Sequence, residues 1–297
     1  MHHAASPPQA LSAAPFWRHI LACNHMPDEA RLLGFRIGAD RVGWLSPEAA
    51  RVLTFFPQLV HFDADGVALA RRLRSAPARS EALATLAAAL VRAGLAARLR
   101  GELYDVRAAP GAAVLAQLDR GAVPCFGVRA EGVHVNGRVM RPDGLFLWVG
   151  RRARDKAVAP AKLDHIVAGG IPAGLDPEQT LVKEAAEEAG IPPELAGQAR
   201  KVARLAYAMQ VEDGIRVDLL HCFDLDLPED FTPRPCDDEV ESFALMPIAE
   251  VFSLVRDTDD FKFNVNLVLI DLFLREGLID PQSPDGVRLR TALAAPS

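Results

Sequence analysis

Glu184, Glu187 and Glu188 fall within the run KEAAEEAG, three and four positions apart. On a helix that spacing puts the carboxylates on one face, where they repel one another unless a cation sits among them. A hard divalent ion suits such a group, because magnesium takes a few carboxylate oxygens, keeps several waters and bridges to phosphates. Acidic helices are mostly just solvated surfaces, so the surroundings of the cluster decide. Upstream, Gly169 and Gly170 remove side chains where backbone must come close to the helix or to a ligand. Asp176, Pro177 and Gln179 form an N-cap, a first-turn proline and the return arm of a capping box. Gly190, followed by Pro192 and Pro193, ends what they begin. The spacing therefore predicts a helix over 177–189 with a metal-binding acidic face.

Other residues are candidates on weaker signals. Arg151 and Arg152 close the apolar run GLFLWVGRR. They read either as solubilising ends of a strand or as phosphate ligands, for which arginine has the bidentate geometry. Phe16 and Trp17 suit a core better than a stacking platform. Cys23, Cys125, Cys222 and Cys236 form no CxxC pair and no zinc-type spacing, so free thiols in a reducing cytoplasm are expected.

These residues need a scaffold, and the composition supplies one. Of the 297 residues, 50% are hydrophobic and 24% charged, enough for a sizeable core. A net charge of −6 argues against a general nucleic-acid binder but not against a small anionic substrate, since a metal can supply positive charge locally. The N-terminus has no basic segment followed by an apolar one, and residues 1–15, with His2 and His3, read as a disordered leader. The most apolar long stretch, ALATLAAALVRAGLAARL, carries Arg92 and Arg98 and reads as a helix of a soluble protein.

The periodicity predicts a smaller α+β domain over 16–117 and a larger one over 118–297. In the first, FWRHILACN is helical, RLLGFRIGADRVGWLS and LVHFDADGVAL are strand pairs, and SPEAARVLTFF is a helix capped by Ser46 with Pro47 at its start. SEALATLAAALVRAGL is a helix capped by Ser80 and ended by Gly94, ELYDVRA a strand and AVLAQLDRG a short helix. In the second, Asn136-Gly137 predicts a hairpin turn inside VRAEGVHVNGRVM. Strands follow in GLFLWVGRR, LDHIVAGGI, ARLAYAMQV, GIRVDLLHCFDLDL and VESFALMP, and helices in IAEVFSLVR and FNVNLVLIDLFLREG. The plan is a mixed sheet flanked by helices, an αβα sandwich.

The stretch Gly169–Ile191 resembles the Nudix box, G-x5-E-x7-R-E-U-x-E-E-x-G-U, with U a bulky apolar residue. Gly169, Glu184, Glu187, Glu188, Gly190 and Ile191 fall on the pattern. Leu175 stands in place of its first glutamate, Lys183 in place of its arginine, and Ala185 in place of a larger apolar residue. The likeness extends over about residues 15 to 280, through GVHVNG, KLDHIVAGGI, EDFTPRP and FKFN. It is to a Nudix group with an extra N-terminal domain, related to fungal thiamine pyrophosphokinase-like proteins.

That resemblance implies a Nudix fold and hydrolysis of a small-molecule diphosphate with Mg2+ or Mn2+. Glu184, Glu187 and Glu188 would hold the metal and carry the catalysis. Arg151, Arg152, Lys162, Gly169 and Gly170 would bind substrate, with Lys162 and Asp164 on a loop beside the site. Glu239 or Glu241 would serve as base or extra ligand, and Lys262 and Asn264 match the group without a stated role. The implied substrate is thiamine diphosphate or its oxidised or damaged analogues, cut to the monophosphate. Alternatives are ADP-ribose, nucleotide sugars or other nucleoside diphosphate derivatives, and a regulatory protein in which Leu175 marks lost turnover. Neither nucleic acid nor membrane is an expected partner, and a homodimer stays open.

Overall fold

The computed structural model describes residues 14–156 and 158–294. The expected leader lies outside the described residues, except that Ala14–Phe16 form a single 3-10 turn. The chain then runs α1 (Trp17–Cys23), β1 (Asn24–His25), β2 (Leu33–Ile37), β3 (Asp40–Leu45), α2 (Pro47–Leu53), β4 (Val60–Asp63), β5 (Gly66–Leu69) and α3 (Ala76–Arg92). Next come β6 (Leu103–Arg107), β7 (Val114–Asp119), α4 (Val123–Phe126), β8 (Arg129–Arg141), β9 (Gly144–Arg152), β10 (Leu163–Asp164) and β11 (Val167–Gly170). The remainder is α5 (Pro177–Ala189), α6 (Pro193–Ala196), β12 (Arg200–Val211), β13 (Gly214–Asp226), β14 (Val240–Pro247), α7 (Ile248–Asp257), α8 (Val265–Arg275) and α9 (Pro284–Ala294).

An eight-stranded mixed sheet forms the larger half, in the order β1-β12-β13-β8-β9-β10, with β11 on β8 and β14 on β9. The β13–β8 and β1–β12 pairs are parallel and the others antiparallel. Alternation along the strands sorts its two faces. Val133, Val135, Phe223 and Leu225 pack on Leu181, Ala185 and Ala196 of α5 and α6. Leu147, Leu205, Leu220 and Cys222 pack on the other layer, built from α1, α7, α8 and α9. The smaller half has a four-stranded sheet, β3-β2-β5-β4, and the β6–β7 ribbon, sharing one core with α2 and α3.

The αβα sandwich with a mixed sheet, preceded by smaller α+β structure, is as expected from the sequence. Three local readings are corrected. Residues Val114–Asp119 are a strand, not a helix, because they pair with β6. Ser75 rather than Ser80 caps α3, accepting from Ala78 N at 3.3 Å. Ser80 instead lies within α3, where its Oγ bonds Ala76 O and accepts from Gln117 N of β7. Asn136-Gly137 makes no turn, because β8 runs straight through it and the hairpin closes between Arg141 and Gly144. The strand holds that pair for a reason. Asn136 is buried and donates to Asp224 at 2.9 Å, and a Cβ on Gly137 would meet Ile166 at 2.8 Å.

Phe16, Ile20 and Cys23 lie in the core of the larger half, so the chain begins there before crossing to the smaller one. Phe16 is fully buried, the core role preferred for it. Cys23, Cys125 and Cys222 are buried free thiols and Cys236 is an exposed one. Among the described residues no helix is long and apolar enough to cross a membrane.

Candidate active site

The helix that carries the acids begins and ends as its sequence dictates. Asp176 accepts from Gln179 N at 2.7 Å, Gln179 Oε1 accepts from Asp176 N at 3.1 Å, and Gly190 closes the helix with a φ of 62°. The three glutamates emerge in different settings. Glu188 is 6% exposed and its Oε2 accepts from Ala168 N at 2.9 Å. Glu184 lies against Gly169, where an added Cβ would sit 2.6 Å from its carboxyl carbon. Glu187 is half-exposed. Lys183 donates to Glu187, four residues on, at 2.6 Å and to Glu184 at 3.2 Å, so the cluster has an internal counter-charge.

Electrostatics follows from these positions. Burial pushes the Glu188 carboxyl well above the usual range; the Ala168 amide opposes that, while Asp164, Glu184 and Glu239 reinforce it. Burial also raises Glu184, against the pull of Lys183 and with added push from Glu187 and Glu239. A compact set of carboxylates whose charge is incompletely met fits a hard divalent cation with oxygen ligands.

Of the two later acids, Glu239 is the one brought within electrostatic reach of this cluster. Burial would raise its carboxyl, but Lys156 at 2.5 Å, with Arg120 and Arg152, outweighs that and holds it low. Glu241 pairs instead with the exposed Arg154 at 3.6 Å.

The expected phosphate ligands are already engaged. Arg152 donates from Nη1 to Asp164 at 2.8 Å, from Nε to Ala159 O at 3.1 Å and from Nη2 to Val158 O at 3.0 Å. Arg151 is exposed and donates to Ala161 O at 3.0 Å. Lys162 donates to Asp259 O at 2.6 Å. Gly169 and Gly170 do stand at the site. Gly169 admits Glu184, and a Cβ on Gly170 would come 1.6 Å from the Tyr104 hydroxyl oxygen.

Behind the cluster lies a buried polar layer that sequence reasoning largely missed. Asp164 accepts from Arg152 and stands 3.6 Å from Lys262 Nζ. Burial alone would raise its carboxyl; Lys262, His134, Arg152 and His165 hold it at about 2. His134 and His165 meet through their Nδ1 atoms at 3.0 Å, and burial lowers both, His165 to about 4. Asn264 reaches toward His134 at 3.5 Å and the Tyr207 hydroxyl at 3.4 Å, and Tyr207 donates to Asp218. The ligating atoms of His134, Asp164 and His165 lie within 4.8 Å of one another. Charge argues against a metal there, since Arg152 and Lys262 already over-compensate Asp164 before any cation enters. Of this layer the sequence singled out Arg152 and Asp164 as candidates to meet substrate and Lys262 and Asn264 without a role; His134, His165, Tyr207 and Asp218 carried no signal.

Comparison with known proteins agrees with this geometry. A family model described as "NUDIX domain" matches residues 131–266, and one described as "Domain of unknown function (DUF4743)" matches residues 15–130. Nudix hydrolase 20, chloroplastic, of Arabidopsis thaliana is 37% identical over 278 residues, covering 90% of this chain and 74% of the relative. Nudix hydrolase 24, chloroplastic, of the same plant is 37% identical over 281 residues, covering 94% of this chain and 77% of the relative. The crystal structure of DR0079 from Deinococcus radiodurans overlaps with a TM-score of 0.43 at 18% identity, over 57% of this chain and 97% of that one. The chain belongs to the Nudix hydrolase family. It is a hydrolase of diphosphate bonds that carries the DUF4743 segment ahead of its Nudix domain.

Proposed function

We propose that the protein hydrolyses the diphosphate of a small heteroaromatic alcohol of the thiamine type, giving the monophosphate and phosphate, with Mg2+ as cofactor and Mn2+ as a substitute. The observation that carries the metal part is the convergence of Glu184, Glu187, Glu188 and Glu239 beside the Gly169-Gly170 edge. When bound, magnesium would offset the charge of the diphosphate and make water more acidic. Glu184, Glu187 and Glu188 would hold it. Glu239, kept anionic by Lys156, is the base or additional ligand of this reading. Gly169 and Gly170 let the substrate approach backbone. Arg152, bonded to Asp164 and to the loop carbonyls of Ala159 and Val158, would hold that loop in place rather than touch substrate.

The thiamine part rests on the resemblance along both halves of the chain. One feature favours the nucleoside-diphosphate reading. A cleft of about 260 Å³ between the two halves is lined by Arg41, Arg107, Arg129 and Trp44, which suits a second anionic group. We place the protein in a reducing, cytoplasm-like compartment on the strength of its four free cysteines, although both plant relatives are named chloroplastic.

A substrate panel under one magnesium concentration tests the reading: thiamine diphosphate, its oxidised analogues, ADP-ribose and a nucleotide sugar. A tenfold advantage in kcat/KM for either nucleotide derivative, about 1.4 kcal/mol, would transfer the assignment to that class. Full turnover by metal-stripped protein in EDTA would remove the metal.

A further inference from the structure

A diphosphate is dianionic or more, and sites that transfer phosphoryl groups clamp it with cationic donors in addition to metal. In the Nudix half the cations expected to bind substrate, and the lysine beside the acids, are already engaged. All three kinds of nitrogen in Arg152 are bonded within the protein, Arg151 and Lys162 point to loop carbonyls, and Lys183 is spent on Glu184 and Glu187. Lys262 is sealed behind the acids against Asp164.

The smaller half, by contrast, reaches the site. Its strand β6 is stitched to the loop that precedes α5: Ala173 N donates to Leu103 O at 2.7 Å and Gly174 N to Asp105 at 3.3 Å. Between those anchors Tyr104 turns inward and sets its hydroxyl against Gly170, among whose neighbours Glu184 is felt. Arg120, which follows β7, stacks over the Tyr104 ring at 5.7 Å. Its Nη1 is fixed by Glu102 at 2.8 Å, and its other guanidinium nitrogens make no hydrogen bond among the described residues. Its side chain is 40% exposed, against 12% for Arg152, and its charge acts on Glu239 and Asp218.

We propose that Arg120 binds the diphosphate of the substrate, and that Tyr104 and Glu102 position it. The smaller half thereby completes the active site. Glu102 holds Nη1 of the guanidinium, the remaining nitrogens make no hydrogen bond among the described residues, and the charge acts on Glu239, while Glu184 acts on the Tyr104 ring beneath it. A planar fork with one edge free is the form in which arginine recognises phosphate oxygens.

Calorimetry with inorganic pyrophosphate, with Ca2+ replacing Mg2+, measures this contact without turnover. Arg120→Ala should weaken pyrophosphate binding tenfold or more while leaving affinity for Mn2+ alone unchanged, and added guanidinium should restore part of the loss. Arg120→Lys keeps the charge and the partner Glu102 but loses the fork, and should weaken binding by about threefold. In turnover of the best substrate, Arg120→Ala should lower kcat/KM about 100-fold. If Arg120→Ala binds pyrophosphate as wild type does, the proposal fails. If that variant does not fold, Arg120→Lys decides: wild-type pyrophosphate affinity in it overturns the proposal.

Discussion

Asp164 and Glu188 are both 6% exposed, yet the fold treats them oppositely. Asp164 has Arg152 and Lys262 beside it and is held as an anion down to about pH 2. Glu188 receives one backbone amide and faces Glu184, Glu239 and Asp164, so burial drives its carboxyl well up. A buried carboxylate supplied with internal cations is a structural part, complete as it stands. One surrounded by other acids retains a demand for positive charge that the protein has not met. The contrast separates a scaffold acid from a candidate metal ligand without reference to any motif.

The largest effect expected from this contrast is on turnover. Glu188→Gln should lower kcat by about 1,000-fold, roughly 4 kcal/mol of barrier. The same change should leave the metal-free protein as stable as before or more so, because the amide can still accept from Ala168 N and no charge is buried. A clear drop in its melting temperature would mean that Glu188 is scaffold after all. Asp164→Asn should do the reverse to stability. It leaves Arg152 and Lys262 without a counter-charge in a buried place, at a cost of about 3 kcal/mol in denaturant unfolding. A loss under 1 kcal/mol would erase the distinction between the two acids.

Next in size is a pH effect from the same layer. His165 is held neutral by burial, at about 4 against an ordinary value of 6.5. Between those values the unfolded chain binds the proton and the folded one does not, so stability falls as pH drops from about 6.5 to about 4. The span should be on the order of 3 kcal/mol, and His165→Asn should flatten it. Asp164 adds its own loss only lower, as pH falls from its ordinary 3.8 toward 2. A stability profile unchanged by His165→Asn would sharpen the comparison by moving the burden to His134. Smallest of all is Lys183→Ala. Its two ion pairs lie at the surface, and their removal should cost under about 1 kcal/mol in the metal-free protein.

The parts of this molecule legible in the sequence are those whose causes are local. Asp176, Pro177, Gln179 and Gly190 specify both ends of α5 from within the segment itself, and the acid spacing follows from helical geometry. Where the sequence misleads, distant chain decides. The dipeptide Asn136-Gly137 has turn chemistry, but Asp224 and Ile166 hold it in a central strand. Val114–Asp119 is too short for its period to choose, and β6 chooses for it. The Asp164–Lys262 pair and the approach of Tyr104 to Gly170 join residues far apart in the chain. No spacing rule could have placed Arg120 over the Tyr104 ring that meets Gly170, about fifty residues later in the chain.

The excursion of the chain at its start has a consequence for synthesis. Phe16, Ile20 and Cys23 are completed by Phe252, Phe273 and Leu289, and β1 takes its place beside β12. A growing polypeptide therefore makes one edge of the larger half before the smaller half and cannot seat it until α7, α8 and α9 have emerged. At about 5–20 residues per second that wait is some tens of seconds. During it the smaller half, whose core draws on residues 33 to 130, can close as a unit. The folding order would then be inside out, with the middle of the sequence finished before either end. Loss of a few turns of α8 or α9 would leave the apolar face of α1 without its partners, where a chaperone or protease would meet it.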